Sequence, residues 1–164
     1  MSRLETPMTR WYWNQVGGTL IEEFPAVRRT EDCGQRLIDG VILPDGPREI
    51  AHWHDVDLEG RDILVVQAKR GRLGMYLMGQ TFFSAELMKR FGPRSIRSVA
   101  LCEAHDSVLG PILERYPNME VVIYPGDELS RANASRSKVR NAAGNGGEPA
   151  LPDPARTPSD GSKG

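Results

Sequence analysis

Two short segments carry the residue types that could do chemistry: Leu37-Ile38-Asp39-Gly40-Val41-Ile42 and Ile63-Leu64-Val65-Val66-Gln67-Ala68-Lys69. Runs rich in β-branched residues form buried strands. A charged group inside such a run has to be paired or metal-bound, because burying it alone is costly. Asp39 interrupts the first run. Gln67 and Lys69 stand two residues apart in the second, so strand alternation puts them on one face. An acid on one strand beside an amide and an amine on the next is the outline of a metal-dependent phosphodiester-cleaving site. Hard Mg²⁺ or Mn²⁺ takes oxygen ligands and tolerates only one or two protein carboxylates. Such an ion polarises a phosphate and lowers the pKa of water. Asp39 offers a carboxylate, Gln67 an amide oxygen and Ala68 a backbone carbonyl. Lys69 offers an ammonium group to hold the attacking water.

The surrounding pattern must position these groups. Trp13, Val16, Leu20 and Phe24 recur at roughly helical spacing, which predicts a first helix over 13–24, weakened by Gly17-Gly18 and ended by Pro25. A short strand is expected over 26–29 and a longer one over 36–43, closed by the turn signal Pro44-Asp45-Gly46-Pro47. Residues 49–54 read as a hairpin partner, and 62–69 as the strand ending in Lys69. Past the tight turn Arg70-Gly71-Arg72-Leu73-Gly74, residues 75–91 read as a long helix burying Leu77, Phe83, Leu87 and Phe91, with Gly92-Pro93 as its stop. A strand over 96–102, a short helix over 107–115 and a last strand over 119–124 complete the order. Helices interleaved with strands in this way predict an α/β sandwich with a mixed central sheet.

With Asp39 on one strand and Gln67-Ala68-Lys69 on the next, the chain resembles the PD-(D/E)XK nuclease superfamily. That superfamily places an Asp on one strand and (Asp/Glu)-X-Lys on the following one, within an order of helix, three strands, helix, strand. The resemblance covers most of residues 13–124 and implies a restriction-endonuclease-like sandwich of order α-β-β-β-α-β-α-β over a domain of residues 1–125. It implies Asp39, Gln67, Lys69 and a helix glutamate as the catalytic set. Asp39, Gln67, Ala68 and that glutamate would be the metal ligands. Many members carry a Glu on the first helix, matched here by Glu22 or Glu23; on the helical reading Glu23 flanks the apolar stripe. Gln80 lies where some branches, including RecB-type nucleases, carry a Gln after the Lys strand, although Ser84 replaces the Tyr of the RecB-type pattern. Arg70 and Arg72 would contact phosphates. The resemblance further implies Mg²⁺ or Mn²⁺ as cofactor and DNA as partner, and dimers are common in the superfamily. Gln67 stands where Asp or Glu is usual. An amide is the weaker cation ligand, although VRR-type nucleases carry Gln here. The chain is therefore read as an active nuclease or, alternatively, as a nuclease-fold domain that binds nucleic acid or protein without cleaving.

Bulk properties bound this reading. The formal net charge is −1 over 164 residues, so any surface for an anionic polymer is local. Cys33 and Cys102 form neither a disulfide framework nor a zinc-finger spacing, which suits a reducing cytoplasm. No stretch approaches a membrane span or a signal-peptide core. Residues 126–164 are rich in Gly, Pro, Ser, Asn and Arg and are expected to be a disordered tail with a basic first half. The two histidines of Ala51-His52-Trp53-His54-Asp55 read as a polar hairpin face rather than a metal grip, and Trp11, Tyr12 and Trp13 as the closure of a core end.

Overall fold

A computed structural model describes residues 5–126; the tail expected over 126–164 lies outside them apart from Gly126. The first helix, α1 (Thr6–Val16), begins earlier than its apolar spacing suggests. Pro7 sits in its first turn, where a missing N–H costs nothing. The helix stops at Gly17, whose N–H closes on the Trp13 carbonyl at 2.7 Å. Gly17 and Gly18 take φ values of +77° and +76°. A Cβ on Gly18 would lie 2.1 Å from the Leu43 carbonyl oxygen, so only glycine lets the chain reverse here. The expected helix over 13–24 is thus cut in two, and its second half is a strand, β1 (Thr19–Val27). Glu22 and Glu23 therefore lie on a strand, not on the first helix. Leu20 and Phe24 sit at helical spacing, but Thr19, Leu20 and Ile21 are buried in succession, as a strand covered on both faces requires.

Strand β2 (Arg36–Leu43) runs antiparallel to β1, and β4 (Asp62–Ala68) antiparallel to β2. Residues 49–51, β3 (Glu49–Ala51), do not form the expected hairpin with β2; they pair in parallel with β1. Both edges of β2 are already taken by β1 and β4, so the segment pairs with the open edge of β1 instead. Pro25 is tolerated within β1 because β3 covers only Thr19 to Ile21, leaving the Pro25 edge open, and because the register slips between Pro25 and Val27.

Helix α2 (Met75–Met88) continues into a 3₁₀ turn (Lys89–Phe91) that Gly92 ends at φ +68°. Strands β5 (Ser95–Cys102) and β6 (Met119–Ile123) add in parallel to β4, with the short α3 (Leu109–Leu113) between them. The result is an α/β fold with a six-stranded mixed sheet of order β3-β1-β2-β4-β5-β6, in which four strands, not the expected three, precede α2. Met8 and Tyr12 of α1 pack with Leu20, Ile42, Val66, Val99 and Leu101 on one face. The other face carries Ile21, Val41, Ile63 and Val65 against Met88, and Ala100 and Cys102 against Leu77, Ala85 and Leu113. The buried phase of α2 is set by Leu77, Thr81, Ser84, Ala85 and Met88. Phe83 falls outside that phase and is 65% exposed, against the expectation that it is core. Among the described residues no helix is long and apolar enough to cross a membrane.

Candidate active site

The β2–β4 ladder supplies the site by stopping. Its register pairs end at Gly40↔Val66. One residue further along, the Asp39 side chain takes over from the backbone: Asp39 Oδ2 accepts a hydrogen bond from the Ala68 N–H at 2.8 Å. The next residue of the chain, Lys69, donates its own N–H to the Leu101 carbonyl at 2.9 Å, which keeps this end of β4 tied to β5. Backbone groups of neighbouring strand residues point to opposite edges. Ala68 therefore faces the Asp39 edge and Lys69 the β5 edge.

One carboxylate from another element reaches this point, and a second lies across the β1–β2 pairing from it. Glu5, immediately before α1, places Oε1 3.5 Å from Lys69 Nζ. Glu23 stands across from Asp39 on β1, between the register pairs Glu22↔Gly40 and Phe24↔Ile38. Glu23 has φ +50° and is the one described non-glycine residue with positive φ. Such backbone strain costs roughly 1–3 kcal/mol and gathers at functional sites. Burial pushes the Asp39 carboxyl above the ordinary carboxylate range; the Ala68 N–H pulls it back, and Glu5 and Glu23 push it up again.

The remaining candidates disperse. Glu22 is bound bidentately by Arg10 of α1 at 2.8 and 2.8 Å, so it clamps that helix to β1. Gln67 is 3% exposed, and its Nε2 donates to Ser84 Oγ of α2 at 2.7 Å. It lines a cavity of about 540 Å³ together with Gln80. Arg70 Nε binds Glu103 Oε1 at 2.8 Å, and Arg72 Nη1 donates to the His105 carbonyl at 2.7 Å, so both guanidinium groups engage residues beyond β5. A second cavity, of about 660 Å³, is lined by Glu22, Glu23, His52 and Trp53. His52 and His54 stack on each other with ring centroids 4.9 Å apart. Among the described residues no group of three or more His, Cys, Asp or Glu is arranged to hold a metal ion. Cys33 is exposed and Cys102 buried, both as free thiols.

Glu5 is the site residue that sequence reasoning missed. Thr6-Pro7 is a helix-start signal, and placing the first turn there brings Glu5 to the sheet-facing end of α1. The apolar spacing that begins at Trp13 drew the helix too far down the chain. Comparison with protein-family profiles, curated proteins and solved structures finds no match for this chain.

Proposed function

We propose that this domain is a metal-dependent nuclease of the PD-(D/E)XK type that hydrolyses phosphodiester bonds in DNA. The observation that carries the reading is the Asp39–Ala68 hydrogen bond at the end of the β2–β4 ladder, directly before Lys69. The order α1, then β1, β2 and β4 as an antiparallel run, then α2 and a parallel β5 supports it. The inserted β3 sits at the sheet edge and leaves that run intact.

The Asp39 carboxylate and the Ala68 carbonyl are hard oxygen ligands of the kind Mg²⁺ or Mn²⁺ takes, and Gln67 offers an amide oxygen from its place beside Ser84. A cation at Asp39 offsets the burial that disfavours its charged form. With its nitrogen donated to Ser84, Gln67 keeps its oxygen as the acceptor a cation would use. When bound, the metal supplies phosphate polarisation and a water of lowered pKa. Lys69 orients that water and balances charge on the phosphate, held in place by Glu5. Glu23, opposite Asp39, is the better of the two β1 glutamates for this site, since Glu22 is committed to Arg10.

The test is cleavage of plasmid, single-stranded and branched DNA in Mn²⁺ by wild type, Asp39→Ala and Lys69→Ala proteins. Equal nicking by all three sinks the proposal. The second reading, a nuclease-fold domain that binds without cleaving, is favoured by Gln67 in place of a carboxylate. A Mn²⁺ titration that leaves the melting temperature unchanged selects it.

A further inference from the structure

The exposed face of α2 carries an unusual set of side chains. Tyr76 is 70% exposed and Phe83 65%. Seven residues separate them, two turns of helix, so both rings project on one side about 10 Å apart along the axis. Between them Gly79 contributes no side chain, and a Cβ added there would meet nothing within 4 Å. Gly79 is therefore not required by packing; its effect is to leave the gap open. Leaving large aromatic surface in water beside a vacant gap marks a binding surface rather than a core.

The cavity these residues line measures about 540 Å³, within the range of small-ligand sites. Its opposite wall is the start of β2, with Arg36 and Ile38. Arg36 is the one charged side chain in the lining, and no described lining residue carries a carboxylate. Gln80 adds an amide that can both donate and accept. Two lining residues, Ile38 and Gln67, are followed in the chain by Asp39 and Ala68, the hydrogen-bonded pair of the candidate active site. The cavity is thus lined by the chain neighbours of that pair, on the α2 side of the sheet.

We propose that this groove between α2 and the start of β2 receives the base of an unpaired nucleotide, so that the substrate is single-stranded DNA or DNA with an unpaired nucleotide at the cleavage point. Tyr76 and Phe83 offer aromatic faces for stacking, which is indifferent to base identity because every base has a π-face. The Gln80 amide meets the base edge, and Arg36 draws the phosphate backbone past the rim. A duplex keeps its bases stacked inside and cannot fill this groove without extruding one. The inference takes the identity of its ligand from the nuclease reading.

The experiment measures binding of the full chain, in Ca²⁺ to suppress turnover, to three fluorescent probes: oligothymidine, a sugar-phosphate strand of equal length without bases, and a duplex. Wild type is expected to bind oligothymidine best. Gly79→Leu, which fills the gap and improves helix propensity, is expected to weaken oligothymidine binding by about fivefold to a hundredfold, the span of one aromatic–base stack. It is expected to leave binding of the baseless strand unchanged. Tyr76→Ala gives a second variant with the same expectation, and unchanged melting temperatures certify both folds. Equal binding of oligothymidine by wild type and both variants overturns the groove proposal, as does wild-type binding that does not depend on bases. Cleavage assays on the same proteins separate the two readings. Asp39-dependent cleavage with no effect of Gly79→Leu leaves the nuclease and removes the groove. Base-dependent binding without cleavage keeps the groove and removes the nuclease.

Discussion

Asp39 Oδ2 accepts the Ala68 N–H at 2.8 Å, at the place where β2 and β4 cease to pair through their backbones. A side chain has replaced a main-chain acceptor in a sheet. This secures the Ala68 amide, which would otherwise be an unmet donor in a half-buried setting. It also fixes the Asp39 carboxylate against the strand that carries Lys69, so one hydrogen bond serves the sheet and the site together.

The pH dependence of stability follows from the same carboxylate. Burial raises the Asp39 pKa, so the native state holds this proton more tightly than the unfolded chain does. Its contribution to stability is complete below the unfolded carboxylate pKa and is lost as pH rises through the raised native value. Asp39→Asn removes the titration. Its melting temperature is expected to match wild type in acid and to exceed it once pH has passed the raised native value. Melts across that window check this, and a difference that does not change with pH contradicts it.

Metal should reverse that ordering. At neutral pH, Mn²⁺ at about one hundred times its dissociation constant is expected to stabilise the wild type by about 2.7 kcal/mol. It should leave Asp39→Asn nearly unmoved. Calorimetry with and without Mn²⁺ reads the effect directly, and equal shifts in the two proteins would remove Asp39 from the ligand set.

Gln67 separates a ligand from a buried structural amide. Gln67→Leu deletes the bond to Ser84 and is expected to cost about 1–2 kcal/mol in urea unfolding. Gln67→Glu restores the usual carboxylate and is expected to enlarge the Mn²⁺-induced rise in melting temperature. If Gln67→Glu leaves that rise unchanged, Gln67 is only a strut between β4 and α2.

Lys69 should matter to activity far more than to stability. Its side chain is 54% exposed, so its pairing with Glu5 contributes at most about 1 kcal/mol. Lys69→Met is expected to lower cleavage about a hundredfold or more with a melting temperature close to wild type. A proportionate loss of both would mark Lys69 as structural.

Gly40 tests the packing that seats α1. A Cβ there would lie 2.6 Å from Thr9 Cγ2 and 3.3 Å from Leu20 Cδ1. Thr9 is fully buried and has nowhere to retreat. Gly40→Ala is expected to cost about 1–3 kcal/mol by overpacking, measured by urea denaturation. Because α1 begins beside Glu5, cleavage should fall with it.

Much of the fold was legible in the residues themselves. Strand β2 was expected over 36–43 and is found as Arg36–Leu43, since β-branched runs bounded by turn residues have few alternatives. Strands β4 and β5 fall within a residue of their expected bounds for the same reason, while helix α2 follows from the Gly74 and Gly92-Pro93 breaks on either side of a long apolar stretch. The errors cluster where local pattern met long-range constraint. Leu20 and Phe24 kept helical spacing by coincidence, while Gly17-Gly18 needed positive φ and the close passage of Leu43 to declare the turn. The 49–54 hairpin failed because both edges of β2 were already occupied, which no local window can see.

The sequence alone determined the apolar strands, the polar interruptions Asp39, Gln67 and Lys69, and the alternation of helix and strand, because periodicity and residue type are local properties. Tertiary structure decided which of those polar groups meet. It brought Glu5 to Lys69 and Glu23 opposite Asp39, sent Gln67 to Ser84, and tied Arg70 and Arg72 to the segment beyond β5. The physical reason is register. Pairing between strands distant in the chain fixes which side chain falls beside which, and a ladder that ends at Gly40↔Val66 leaves the Ala68 amide to the Asp39 carboxylate.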